Sequence, residues 1–217
     1  LDLGDLNGTY AGAYDINESG VITGNSFTNT SPFGLLQMHA YRWENGTMTD
    51  LVPPNPTGGY SRGIGINDGG TIVGRASLDT FTNSDKFMAQ WSPSNSFTHF
   101  TGPFSYSNGK DINNSNVSVG LAKNAAGDDR AAIWDASGSI TMFNSFGGKR
   151  SFFNAINDEG VAVGGSMDAT DTLLAAISFD GTTMVDLNTI VDLTGSGFVQ
   201  LNQAFDINAA GEVVGIG

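Results

Sequence analysis

No cysteine occurs in these 217 residues, so neither a disulfide framework nor thiol chemistry is open to the chain. Histidine is nearly missing too: His39 and His99 are the only two, too little for a histidine acid/base pair or a zinc centre. Both are expected to be structural or exposed. Basic residues number nine against 22 acidic ones, and the net charge of −13 is spread along the chain rather than gathered in a run. Such a surface repels nucleic acid and anionic headgroups, so neither is an expected partner; solubility is what the charge provides. No apolar run approaches a membrane-spanning helix and no helical heptad is present. Despite thirty glycines, there is no Gly-Xaa-Ser-Xaa-Gly elbow and no phosphate-cradling loop. Membrane insertion of this segment, a cofactor and a catalytic residue are therefore not expected.

What the chain has is repetition. Ile-Asn, two turn residues, Gly, three residues and a second Gly recur from Ile16, Ile66, Ile112, Ile156 and Ile207, closing at Gly24, Gly74, Gly120, Gly164 and Gly215. The asparagines are spaced by 50, 46, 44 and 51 residues, the period of a four-stranded propeller blade. Gly20 stands where a short hairpin loop needs a left-handed residue, as in a type I turn with a G1 bulge. Asn116 replaces that glycine in the third copy, and asparagine is the non-glycine residue that best tolerates positive φ.

A second phrase keeps step with the first. Trp43, Trp91, Trp134 and Phe179 each end an apolar stretch, and turn residues such as Glu44-Asn45-Gly46 and Asp180-Gly181 follow. Short apolar segments then come at 47–51, 97–100, 140–143 and 184–187. Each repeat thus predicts four strands: a ending in Ile-Asn, b ending near the closing Gly, c ending in the aromatic, and d. One large aromatic per repeat is expected to fill the wedge between neighbouring sheets, with a sugar-stacking platform as the alternative.

The run from His39-Ala40-Tyr41-Arg42-Trp43 through Glu44-Asn45-Gly46 to Asp50-Leu51, followed by Gly58-Gly59, Ile66-Asn67, Gly70 and Val73-Gly74, resembles the bacterial extracellular HAF-repeat family. That family is named for a His-Ala-Phe tripeptide, and Tyr41 takes its third place here. Later copies depart further, with Phe87-Met88-Ala89, Arg130-Ala131-Ala132 and Ala175-Ala176-Ile177. The resemblance spans nearly the whole chain. It implies an exported protein, extracellular or at the cell surface, built on scaffold repeats without a motif that marks chemistry.

These observations predict an all-β chain: one domain over residues 1–217 forming a five-bladed β-propeller of four-stranded antiparallel blades. The repeats run approximately over 12–51, 62–100, 108–143, 152–187, and 203–217 together with 1–4. Leu1-Asp2-Leu3-Gly4 matches the strand d phrase at Asp50-Leu51, so the fifth blade is expected to be shared between the two ends and to lack strand c. Two accounts stand. Either the sequence is a fragment short of roughly one strand and a loop at its C-terminus, with the sorting segment that the resemblance implies lying beyond, or the slot takes a strand from another molecule and makes a homo-oligomer.

A meander places the a–b and c–d turns on one face and the other connections on the opposite one. Phe33, Tyr60, Arg62, Phe104, Tyr106, Phe146, Lys149 and Arg150 fall among those other connections and vary from copy to copy. They are the candidate ligand-binding residues, with ordinary loop anchoring as the alternative. Asp15, Asp111 and Asp206 open oxygen-rich segments that resemble the start of a calcium loop. Gly65 and Ala155 replace that Asp in the other copies and no acidic residue closes the loop. The favoured reading is a structural turn, and no metal is expected.

The expected function is that of an exported, non-enzymatic binding or structural module at the cell surface or in extracellular matrix, recognising a glycan or protein, or assembling with copies of itself. The alternative is a secreted polysaccharide-active enzyme with a carboxylate pair in the propeller funnel. Glu18, Asp68, Asp158 and Glu159 fall in the a–b turns, a distribution that favours binding.

Overall fold

The computed structural model describes residues 2–28, 37–51, 59–77, 86–102 and 104–217. It is all-β, with a single 3-10 turn, Leu187–Thr189, among the described residues. The chain divides into two compact units, Leu1–Gly109 and Lys110–Gly217.

The first unit holds two antiparallel meanders. Strands β1 (Asn7–Ile16), β2 (Ile22–Thr28), β3 (Gln37–Glu44) and β4 (Thr47–Asp50) pair in chain order, as do β5 (Tyr60–Ile66), β6 (Ile72–Ser77), β7 (Phe87–Trp91) and β8 (Phe97–His99). Strand β9 (Ser107–Ile112) leads into the second unit, where β10 (Ser118–Lys123), β11 (Asp129–Trp134) and β12 (Ile140–Phe143) complete a third meander. A fourth contains β13 (Gly147–Ile156), β14 (Ala162–Asp168), β15 (Leu173–Ser178) and β16 (Val185–Asp186). One parallel pair, Asp129 with Arg150, joins these last two meanders into a single sheet. Strands β17 (Gln203–Ile207) and β18 (Val213–Ile216) form a separate hairpin.

The repeated phrase is the turn of each first hairpin. Asn17 N–H donates to Val21 O and Gly20 N–H to Asn17 O, while the Asn17 carboxamide oxygen accepts from Ser19 and Val21 N–H at 3.1 and 2.9 Å. The fourth turn position has positive φ in every copy: Gly20, Gly70, Asn116, Gly160 and Gly211. That is the left-handed residue a three-residue hairpin loop demands. Ser92, Asn124, Asp135 and Asp168 start the same backbone turn in other connections.

The closing glycine does a different job from the one expected. It lies inside strand b rather than near its end: β2, β6 and β14 all run past Gly24, Gly74 and Gly164. The register of the facing strand slips opposite it, between Ala13 and Asp15, Gly63 and Gly65, and Phe153 and Ala155. At this bulge the backbones close in. A Cβ on Gly24, Gly74 or Gly164 would sit 1.9 to 2.1 Å from the opposing carbonyl oxygen of Gly12, Arg62 or Phe152, so no side chain fits.

Successive hairpins are tied through the same residues. Within the first unit Asn17 Nδ2 donates to Asn67 O at 3.0 Å; within the second, Asn113 Nδ2 donates to Asn157 O at 3.1 Å and Asn157 Nδ2 to Asn208 O at 3.2 Å. Asp15 adds a carboxylate clamp on Ile66 N–H at 2.7 Å, and Asp111 one on Ile156 N–H at 2.8 Å. The return bonds come from Glu18 N–H to Asp68 and from Asn114 N–H to Asp158. Because Gly65 and Ala155 occupy the Asp position of the clamped copies, the chain carries a larger repeat of two meanders. Asp15, Asp111 and Asp206 mark it at intervals of 96 and 95 residues.

Apolar side chains pack along these ties. Val21, Ala40 and Leu51 of the first meander pack with Ile66, Ile72, Ala89 and Trp91 of the second. In the second unit Val119, Ile133 and Phe143 meet Phe153 and Ile156, and Val163 and Ile177 meet Ala204 and Ile207.

Two expectations need correction. The fifth blade shared between the ends is not formed: β17–β18 stays two-stranded, and residues 2–5 belong to no strand. Strand d pairs only with strand c in each of the four complete meanders. Leu6 instead bridges Thr28 and donates its N–H to Ser26 Oγ at 3.0 Å. The five-bladed propeller closed by that blade thus becomes four antiparallel meanders and a hairpin. The aromatic wedge is also not uniform. Trp91 and Trp134 are fully buried and Trp43 partly so, but Phe179 is 57% exposed. It lines an open apolar groove of about 680 Å³ with Ile190, Val214 and Ile216.

Candidate functional site

Arg62 and Arg75 are direct cross-strand partners in the β5–β6 ladder of the first unit. Like charges so placed repel, and each guanidinium is held by neutral groups. Arg62 Nε donates to Asn25 Oδ1 at 3.0 Å, and its Nη2 to the Tyr14 hydroxyl. Arg75 Nη2 donates to the Tyr60 hydroxyl at 3.1 Å, and its Nη1 to the Tyr106 hydroxyl. The rings contribute through their faces as well. Arg62 lies 4.6 Å from the centroid of Tyr14, and Lys86 and Arg75 lie 4.5 and 5.6 Å from that of Tyr60.

Three of the four basic residues of this unit therefore share one cluster, and no ion pair to a carboxylate joins them among the described residues. Burial works against the Arg75 charge, yet the Tyr60 and Tyr106 phenols outweigh it and hold its pKa above the ordinary arginine value. Two buried donors in the cluster, Arg75 Nε and Asn25 Nδ2, have no hydrogen-bond partner among the described residues. Asn25 is completely buried. Arg42, the fourth base, is structural: it donates to Asn95 Oδ1, Gly70 O and Ser92 O, and burial lowers its pKa, with Glu44 opposing.

The cluster breaks the repeat. After the closing glycine come Asn25 and Arg75 in the first unit, but Leu121, Gly165 and Ile216 in the second. Five residues before the turn Asn stand Gly12, Arg62 and Asn108 in the first unit, and Phe152 and Gln203 in the second. A Cβ on Gly165 would meet Phe152 at 2.9 Å, so this position in the second unit is filled by apolar packing.

Of the residues singled out from sequence, Tyr60, Arg62 and Tyr106 come together here, though Tyr60 and Arg62 lie in β5 rather than in a loop. Phe104 is a buried anchor whose ring lies 6.0 Å from Phe87. Phe33 lies outside the described residues. The other three belong to the second unit and do not form a comparable group. Phe146 bridges Asp168 and donates its N–H to Ser166 Oγ. Lys149 and Arg150 lie within β13, Lys149 exposed and Arg150 paired with Asp129 at 3.7 Å and lying over Phe152. Tyr14, Asn25, Arg75 and Lys86 were not singled out; for Asn25 and Arg75 the signal that could have found them is polarity at a repeat position that is Leu121, Gly165 or Ile216 in later copies.

Two of the three calcium candidates, Asp15 and Asp111, tie successive hairpins. Asp15 and Asp111 each accept backbone N–H bonds on both oxygens, and Asp206 accepts from Ile207 N–H. Among the described residues no group of three or more His, Asp or Glu side chains is placed to hold a metal ion. The histidines have structural surroundings. His39 is 1% exposed with Nδ1 3.0 Å from both Asp50 oxygens, and His99 packs on Phe87 and Phe97. No helix among the described residues is long and apolar enough to cross a membrane.

No family model matches the chain, and no curated protein matches it.

Proposed function

We propose that this chain is a non-enzymatic binding module built of propeller-type blades, exported to the cell surface or extracellular matrix in keeping with its resemblance to HAF repeats. The observation that carries the reading is the Arg62–Arg75–Lys86 cluster with Tyr14, Tyr60 and Tyr106: three cations gathered in one unit, with Leu121, Gly165 and Ile216 at the Arg75 position in the other. A pure scaffold has no need of three cations gathered without carboxylates, whereas a recognition surface does. Support for a binding rather than catalytic role comes from Asp15, Asp111, Asp68 and Asp158, whose carboxylates accept backbone N–H groups.

The ligand in this reading is a glycan or protein group at the extracellular surface. Self-association through the last hairpin is the lesser part of it. The clamp logic gives a second copy little to offer there, because the Ile66 and Ile156 N–H groups that an Asp206-type clamp would seek are already bound by Asp15 and Asp111. A glycan array run beside a polysaccharide-degradation screen tests the proposal. Retention on the array that is lost in Arg75→Gln supports it; turnover of any polysaccharide that a single Asp→Asn substitution abolishes overturns it in favour of an enzyme.

A further inference from the structure

The geometry points to an oxyanion-binding site formed by Arg62, Arg75 and Lys86, taking the acidic group of a saccharide; this rests on the binding-module reading and names its ligand class. Donor and acceptor inventory carries the argument. Each guanidinium has more N–H donors than the two bonds it makes to Asn25 and Tyr14, or to Tyr60 and Tyr106. Arg75 Nε–H and the Asn25 amide N–H are buried without an acceptor, and the Lys86 ammonium carries further donors over the Tyr60 ring. The three phenol oxygens accept from arginine, which leaves their O–H protons to donate.

Free donors thus outnumber free acceptors here, the buried acceptor without a partner nearby in the chain being Asn108 Oδ1. A neutral sugar hydroxyl needs acceptors as well as donors, whereas a carboxylate or sulfate ester offers acceptors alone and answers two guanidinium forks. Stacking of a neutral sugar is disfavoured for a second reason: Tyr14 and Tyr60 each already have a cation over a ring face. Charge then limits the size of the ligand. On a chain of net charge −13 a long polyanion meets net repulsion, so an isolated acidic sugar or end group is favoured over an extended acidic polymer.

The test is titration of the full chain with sodium glucuronate, glucose, sodium sulfate and polygalacturonate, followed by calorimetry and by NMR of the arginine Nε–Hε groups. Expected are glucuronate binding that shifts the Arg75 and Arg62 signals, weakens with added salt, and falls about tenfold or more in Arg75→Gln. Lys86→Gln, which removes no side-chain hydrogen bond among the described residues, serves as a second variant should Arg75→Gln misfold, and Arg150→Gln in the other unit is the control. Tighter binding of glucuronate than of sulfate assigns the group to a sugar; the reverse assigns the site to a free oxyanion. Equal binding of glucose, or glucuronate binding untouched by Arg75→Gln and Lys86→Gln, overturns the inference. If array glycans are still retained in that case, the module stands and only its ligand class falls; if no glycan of any charge is retained, both fall.

Discussion

Arg62 and Arg75 face each other across the β5–β6 ladder, two cations in register whose hydrogen-bond partners among the described residues are phenol and carboxamide oxygens. Such a pair opposes folding in low salt by an amount on the order of 0.2–1 kcal/mol. A double-mutant cycle with Arg62→Gln and Arg75→Gln should return an unfavourable coupling of that size that shrinks as salt rises. Urea titrations at low and high ionic strength measure it.

Asn17 makes two separable contributions, closing its own turn and donating to Asn67 O in the next hairpin. Asn17→Ala removes both and should cost about 2–4 kcal/mol, while Asn17→Asp keeps the acceptor, loses the donor and should cost about 1–2 kcal/mol. The order of urea midpoints, wild type above Asp above Ala, is the check.

Two glycines of one phrase should respond differently. Gly160 has φ +84° with open space around a built Cβ, so Gly160→Ala meets backbone strain alone, about 1 kcal/mol. Gly164→Ala places a methyl 2.1 Å from Phe152 O and must spread the β13–β14 ladder, a cost of about 3 kcal/mol or more. Thermal melts of the two variants separate them.

The aromatic phrase divides in the same way. Trp91→Ala opens a cavity at a fully buried site and should cost about 3–5 kcal/mol. Phe179→Ala, at a side chain 57% exposed, should stay within about 0.5 kcal/mol of wild type by calorimetry.

Stability should fall as the solution is acidified, in two steps. Burial lowers the His99 pKa below 6.5, with the Ala76 carbonyl bond opposing, so the unfolded chain takes up the proton first. This contribution is complete above about pH 6.5 and is lost as pH falls below it. His99→Phe should flatten the slope of Tm between about pH 7.5 and 5.5. The second step comes from Asp180, whose pKa is brought down to about 2 by bonds from Thr182 and Thr183, and from Asp135 and Asp168, lowered chiefly by Ser137 and Thr170. Their contribution is present above 3.8 and is lost as pH falls toward 2, and Asp180→Asn should reduce that acid step.

The strands, the Asn turn and the positive-φ position were legible in the residues because they are local. A three-residue hairpin loop admits only certain backbone angles, and Gly20 or Asn116 reveals them without reference to the rest of the chain. The closing glycine was visible but misread as a strand end, since its cause is a carbonyl oxygen on another strand, such as Arg62 O against Gly74. The candidate site was half legible. Tyr60, Arg62 and Tyr106 stood out by their irregularity, but Asn25, Arg75 and Lys86 join them only through cross-strand register and contacts between meanders.

By itself, then, the sequence determined the period, the four-strand unit and its turns, because backbone sterics and alternating polarity act over a few residues. Tertiary structure alone decided three things. The Asp15 and Asp111 carboxylates reached the N–H groups of Ile66 and Ile156 in the next hairpin, the N-terminal phrase bridged β2 at Leu6, and three scattered cations met in one cluster. Each depends on which residues from distant repeats are brought within hydrogen-bonding or ring-contact reach, and that is settled only when neighbouring meanders pack.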